Sequence, residues 1–322
     1  MSDGFSLRAL LLGKTPRPVI FDEAVSEFKL GKTNLWMDIV AADPQKASDF
    51  LQNELGFHPL HVEDALSPHE RPALSTDHGI TFLVAPSVSS MKDGEHYIEV
   101  AFFVKENSIV TVSTQHCHQI DDWFEKCKGR PVLAGNSISL LLHSLLDLIV
   151  DGYYPALDAF SIEVEELEDA IYQGQKVSIA DSLQLKRRLL EMRRRIAPMR
   201  DICNGLLRRE SAMLSHESMP YFQDIYDHTL RIIEVVDMER DILSAVMDAH
   251  LSIQSNMLNQ VMRSMTVIAT LLMTGAFIAG VYGMNFDYMP ELHWKYGYAS
   301  AWAAMIVSGA IEIWIFKKKG WI

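Results

Sequence analysis

Tyr282-Gly283-Met284-Asn285 sets a glycine and a neutral amide between two long apolar stretches, with Asp287 and Glu291 just beyond. An amide offers a carbonyl acceptor and N–H donors without a fixed charge. That chemistry suits a hydrated cation better than an organic substrate, because it can accept hydrogen bonds from the ion's own waters. Magnesium dehydrates reluctantly, so a ring of neutral oxygens would hold it without stripping its shell. Gly283 lets the chain end closely against neighbouring copies. Gly-x-Asn is equally a common helix C-cap, and residue type alone leaves both readings open.

The stretches that carry this turn are long enough to cross a bilayer. Residues 264–286 hold no charge, and Ala299–Phe316 is apolar except for Glu312 before Lys317-Lys318-Lys319. A spanning helix needs about 20 mostly apolar residues. The triple lysine predicts a cytoplasmic end for the second span, which places both termini in the cytoplasm. The intervening loop then faces outward with interfacial aromatics at Phe286, Tyr288, Trp294 and Tyr296. Glu312 is five residues from Lys317 and is expected to reach the cytoplasmic interface.

Upstream of the first span the chain should run as one helix from Pro220 to Tyr282, with no other Pro or Gly before Gly275. At 1.5 Å per residue that is on the order of 95 Å, and a helix so long needs partners. One face follows by threes and fours: Asn259, Met262, Thr266, Ala269, Met273, Ala276 and Gly280. A single helix encloses nothing, but a symmetric ring could be lined by this stripe, with Met and Ala as dry constrictions and Asn259 as an oxygen ring. Ordinary packing of small residues and Met in lipid explains the same spacing.

The remaining sequence bounds the partners. Residues 1–262 hold 24 bases against 39 acids, an acidic balance that repels nucleic acid and attracts cations. Cys117, Cys127 and Cys203 form no CxxC pair, as expected of free thiols in a reducing compartment. The short apolar run near Leu7–Leu12 is too brief for a span and carries no convincing cleavage site. Residues 1–135 read as mixed α/β, with strands at Leu35–Val40, Ile80–Val84, Tyr97–Val104 and Ile109–Ser113 and a helix over Pro44–Leu55 capped by Asp43. Ser137–Gln173 and Ser178–Arg209 read as long helices, the second bent at Pro198. His116-Cys117-His118 resembles a metal triplet, but on a strand the Cys points opposite the two His. Lys186-Arg187-Arg188 and Arg193-Arg194-Arg195 are read as salt-bridged helix faces.

The flanking residues carry a family resemblance. The 282–285 turn, Met289-Pro290-Glu291-Leu292, the two C-terminal spans and the lysine cluster resemble the CorA family of divalent-cation channels. Gly56-Phe57-His58-Pro59-Leu60 with Val62-Glu63-Asp64, and His69-Glu70-Arg71-Pro72, are similar to that family's cytoplasmic domain. Pro220-Tyr221-Phe222 with Asp224, Tyr226, Asp227 and His228 is similar to its stalk. The resemblance implies a homopentamer in a bacterial-type inner membrane: a cytoplasmic α/β domain (1–135), a helical hairpin (136–219), a stalk helix (220–263), a pore-lining span (264–284), an external loop (285–297), a second span (298–316) and a basic tail (317–322). It further implies a selectivity filter at Gly283, Met284 and Asn285. Asn259, Met262, Met265 and Met273 then fall at lining or gate positions. The implied cargo is Mg²⁺, with Co²⁺ and Ni²⁺ as further ions, and no covalent cofactor or enzymatic step. A Zn²⁺ transporter of the same fold and a membrane-anchored metal sensor without transport are the alternatives.

Two departures bear on the ion. In the family, regulatory metal sites between subunits pair a stalk acid with an acid of the sheet domain. The stalk acid is present as Asp224, but the partner position holds His78-Gly79 with Asp77 displaced. Either Asp77 or His78 substitutes, or sensing is altered, and a His ligand favours Zn²⁺ or another transition metal over Mg²⁺. A hydroxyl usual in the family's pore is replaced by Ala276.

Overall fold

A computed structural model describes residues 4–67, 74–91, 94–130, 137–175, 177–208 and 217–322. The His69–Pro72 part of the predicted motif lies outside them. The chain divides into two compact units, Met1–Ser244 and Ala245–Ile322.

The first unit is built on a sheet of seven strands among the described residues. The strands are β1 Ser6–Leu11, β2 Arg17–Val19, β3 Leu35–Val40, β4 Leu74–Asp77, β5 Ile80–Met91, β6 Gly94–Lys105 and β7 Ser108–Ser113. Their order is β2-β1-β3-β7-β6-β5-β4, with β3 and β7 parallel and the other pairs antiparallel. All four predicted strands are present, three of them longer than expected. β1 is an addition: Leu and Ala do not favour strands, yet the run pairs with β3 (Leu7 opposite Ile39, Leu10 opposite Trp36) and Arg8 bonds Asp38.

Alternation along the strands serves two cores. Trp36, Leu83, Phe102 and Ile109 face one, and Leu35, Met37, Phe82, Phe103 and Val110 face the other. The second core is closed by α1 Phe21–Leu30, α2 Pro44–Asp49 and α3 Pro59–Leu66. Asp43 caps α2 as its type and Pro44 predict, accepting from the amides of Gln45 and Lys46. The predicted Pro44–Leu55 helix continues, however, as a π-helical turn over Phe50–Glu54.

The first core is closed by α4 His118–Cys127, α5 Ile138–Asp151, α6 Tyr153–Tyr172, α7 Ile179–Leu207 and the start of α8, Met219–Tyr282. The predicted single helix over 137–173 is two helices that part at Gly152. There a Cβ would sit 2.4 Å from Gln119 Nε2, while that nitrogen donates to the Val88 carbonyl. Three of the α7 basic residues are salt-bridged, mainly to acids of other elements instead of neighbours on the same helix: Arg188 bridges Glu95 and Glu163, Arg193 meets Asp237 and Arg195 meets Glu99. Cys117, Cys127 and Cys203 are buried free thiols, and burial pushes those of Cys127 and Cys203 up to about 11 and about 12.

The second unit holds the rest of α8 and α9 Gly297–Lys318. α8 is 64 residues long and, as predicted, is not interrupted before Tyr282. Both helices are long and apolar enough to cross a membrane, and very little of either apolar window is buried within the chain.

Candidate functional site

The second unit sorts α8 into faces. Val267 is buried and Thr270, Leu271, Thr274, Ile278 and Tyr282 are half-covered, at the three- and four-residue spacing of one helix face. Asn259, Met262, Met265, Thr266, Ala269, Met273, Ala276 and Gly280 are all exposed, so the predicted stripe is left uncovered by the chain's own packing. Bulky residues on the flanks, Ile268, Leu272 and Phe277, are exposed as well, as lipid- or copy-facing positions would be. Thr266 donates its hydroxyl to the Met262 carbonyl of its own helix, so its oxygen keeps lone pairs for a ligand.

The turn at the top does not use a left-handed cap. Gly283 is absent from the positive-φ glycines; its amide bonds the Ala279 carbonyl at 2.9 Å and the Met284 amide bonds Val281 at 3.3 Å. Helical bonding thus carries past Tyr282, and a Cβ at Gly283 would sit 3.2 Å from the Ala279 carbonyl. Beyond the turn Asn285 is exposed, with no intrachain hydrogen bond among the described residues, and so are Asp287 and Glu291. The loop is held by a short 3₁₀ turn over Pro290–His293, and Gly297 admits the Glu291 carbonyl where a Cβ would lie 2.1 Å away. At the other end of α9, Lys317, Lys318 and Lys319 are exposed, with the Lys318 ammonium 5.3 Å from the Trp314 ring centre.

A separate cluster lies in the first unit. Asp147 on α5 and Asp224 and His228 on α8 offer ligand atoms within 4.8 Å of one another. His228 Nε2 is 3.7 Å from Asp224, and its buried Nδ1 has no hydrogen bond, although Asp151 lies 3.9 Å away. His143, one turn before Asp147, has its Nε2 buried without a partner and packs against Tyr221 and Phe222. Burial, then the charge of Asp151, raises the Asp147 carboxyl above its ordinary range; burial lowers the His143 imidazole. Buried, unpartnered nitrogens beside crowded carboxylates fit a divalent cation, and the mixed donors suit a transition metal.

Asp224 sits among possible ligands, but its neighbours within one chain are Asp147 and His228, not Asp77 or His78. Asp77 and His78 pair with each other at 2.7 Å. His78 and Gly79, at φ 47 and 79, are the two loop residues of the β4–β5 hairpin. The spacing His143-Asp147-Asp151 against Asp224-His228, each step four residues, was the signal available in the sequence. Among the described residues the His116–His118 triplet belongs to no metal-ligating cluster: His116 pairs with Asp121 and Cys117 is buried in the core.

Residues 31–318 match the protein family described as CorA-like Mg2+ transporter protein. The cobalt/magnesium transport protein CorA of Thermotoga maritima is 35% identical over 305 residues, covering 93% of this chain and 87% of the relative. Its namesake from Methanocaldococcus jannaschii is 24% identical over 314 residues, covering 96% and 97%. The complete structure of the CorA magnesium transporter from M. jannaschii matches with a TM-score of 0.82 at 23% identity, over 98% of both chains. The ZntB cytoplasmic domain from Vibrio parahaemolyticus shares the fold with a TM-score of 0.61 at 13% identity, over 79% of this chain and 99% of that one.

Proposed function

The chain belongs to the CorA-like family of Mg²⁺ transporter proteins, and on that premise we propose that it conducts hydrated divalent cations, Mg²⁺ first among them, through a pore lined by copies of α8. The observation that carries this reading is the α8 stripe. Every face of the helix is exposed from residue 251 to 266; from Val267 on, Ala269, Met273, Ala276 and Gly280 stay exposed while the face through Val267, Thr270, Leu271, Thr274, Ile278 and Tyr282 is covered, and the stripe ends at the exposed Asn285.

Asp287 and Glu291 raise the local cation concentration at the mouth. A ring of Asn285 carbonyl oxygens accepts hydrogen bonds from the ion's waters, so entry costs little dehydration, and Gly283 and Met284 hold that ring at the helix end. Gly280, Ala276, Met273, Ala269, Met265 and Met262 follow as a narrow apolar path that gates by dewetting, relieved by the Thr266 oxygen and by a second amide ring at Asn259. No covalent step occurs, and the driving force is the ion's electrochemical gradient. The lining requires several copies about one axis, a homopentamer as in the family reading, set in an inner membrane with both termini cytoplasmic beside the Lys317–Lys319 ring. Nucleic acid has no part in it.

Asp147, Asp224 and His228 form the cytoplasmic regulatory site in this reading, with Asp77 and His78 free to contribute from a neighbouring copy. Mg²⁺ and Zn²⁺ both fit as the sensed ion, the imidazole favouring Zn²⁺. Purified full-length protein in proteoliposomes loaded with ion-sensitive dye tests the proposal. Mg²⁺ influx down its gradient is the expected result; Zn²⁺ flux without Mg²⁺ flux transfers the assignment to the Zn²⁺ transporter, and no flux of either ion leaves only a metal-sensing scaffold.

A further inference from the structure

The two apolar helices of the second unit meet along one seam. A Cβ added at Gly309 of α9 would lie 3.8 Å from Leu271 Cδ2 of α8. Three residues further along each helix, Glu312 Oε1 accepts a hydrogen bond from Thr274 Oγ1. The other carboxyl oxygen, Oε2, is buried with no hydrogen-bond partner among the described residues. Glu312 is thus turned into the seam instead of towards Lys317, contrary to the expectation that it reaches the cytoplasmic interface. The reason is geometric: helix side chains lean towards their own N-terminus, which for α9 is the end away from the lysines.

Glu312 is the one acid in Gly297–Lys318, and α8 carries no charged side chain from Ser264 to Tyr282. An ionisable residue in such a segment is costly, and Leu or Met would fill the seam without that cost. A carboxyl adds direction. Apolar helices in lipid lack a hydrophobic force between them and can rotate against each other, whereas a hydrogen bond fixes one azimuth. Successive helix residues are about 100° apart, so tying Thr274 to α9 turns Met273 and Ala276 away from the seam.

We propose that Glu312 is a positioning residue for ion permeation: through Thr274 it sets the rotation of α8 about its own axis, and so decides which side chains line the path. The inference rests on the conduction reading above. It is tested on full-length protein in proteoliposomes with a Mg²⁺ dye, each variant first matched to wild type in its assembled size. Glu312→Leu and Thr274→Val should each slow initial Mg²⁺ flux by about three- to ten-fold, with the half-saturating Mg²⁺ concentration unchanged because neither side chain touches the ion. The double variant should be no slower than the slower single one. Glu312→Gln, whose amide carbonyl accepts the same hydrogen bond, should stay within about two-fold of wild type. Wild-type flux in Glu312→Leu, a Gln variant as slow as the Leu variant, or multiplicative loss in the double variant would overturn the role. If Glu312→Leu does not assemble, Thr274→Val and Glu312→Gln decide. Labelling of Met273→Cys by a membrane-impermeant thiol reagent reads the rotation without any flux, since Cys117, Cys127 and Cys203 are buried. It should slow in the Glu312→Leu background and recover with Glu312→Gln; equal rates would refute the latch. A wild-type protein that conducts nothing while labelling follows this pattern would sink the conduction reading and leave the latch standing.

Discussion

The two units of the chain use similar apolar side chains to opposite ends. In Met1–Ser244 the partners are internal: the rings of Phe57 and Phe103 stack at 4.0 Å, and Asp38, buried on the interior strand β3, meets Arg8 and Thr111. In Ala245–Ile322 Leu272, Met273 and Phe277 are about 70% exposed, and Thr274–Glu312 is the one side-chain hydrogen bond that joins α8 to α9 among the described residues. An exposed apolar surface of this extent is what a membrane-crossing segment presents to its surroundings. The first unit therefore buries its apolar side chains within one chain, whereas the second leaves most of them exposed.

The strongest way to break this contrast is Asn285→Ala. Mg²⁺ flux into proteoliposomes should fall to the level of empty vesicles, while denaturant unfolding of the first unit stays as in wild type. Undiminished flux in that variant would remove Asn285 from the ion's path. Next in size, Phe103→Ala opens a cavity between Phe57 and Phe82 and should destabilise the first unit by about 3–5 kcal/mol. Phe277→Ala, the counterpart in the second unit, should leave that transition in place and change only the assembled state in detergent or lipid. A comparable loss from both would show that the units do not differ as described.

The smallest effect concerns the metal cluster. With a divalent ion at 100 times its dissociation constant, binding to the folded state alone adds about 2.7 kcal/mol. Calorimetry should record that stabilisation in the wild type and its loss in Asp224→Ala, with Zn²⁺ acting at lower concentration than Mg²⁺. A wild-type protein stabilised by neither ion would reduce Asp147, Asp224 and His228 to a structural group.

Much of this was legible from residue order. Asp43 before Pro44 announces a cap, alternation in Tyr97–Val104 announces a strand, and the absence of Pro and Gly throughout 221–274 announces one continuous helix. β1 was not, because Ser6–Leu11 has a helix-like composition and is a strand through its pairing with β3 and β2. Nor was the break at Gly152, where the side chain of Gln119, 33 positions earlier, leaves no room for a Cβ.

By itself the sequence determined the two spans, their orientation signal and the glycine–amide turn, since apolar length, charge and local residue type are properties of a continuous segment. Only the tertiary structure decided that Gly283 extends helical bonding instead of capping in a left-handed turn. It alone set Asp147 beside Asp224 and His228 across 77 positions of chain, and covered Thr274 while leaving Met273 bare. Those outcomes depend on which helix face meets which neighbour, and a rotation of about 100° per residue is settled by packing, not by composition.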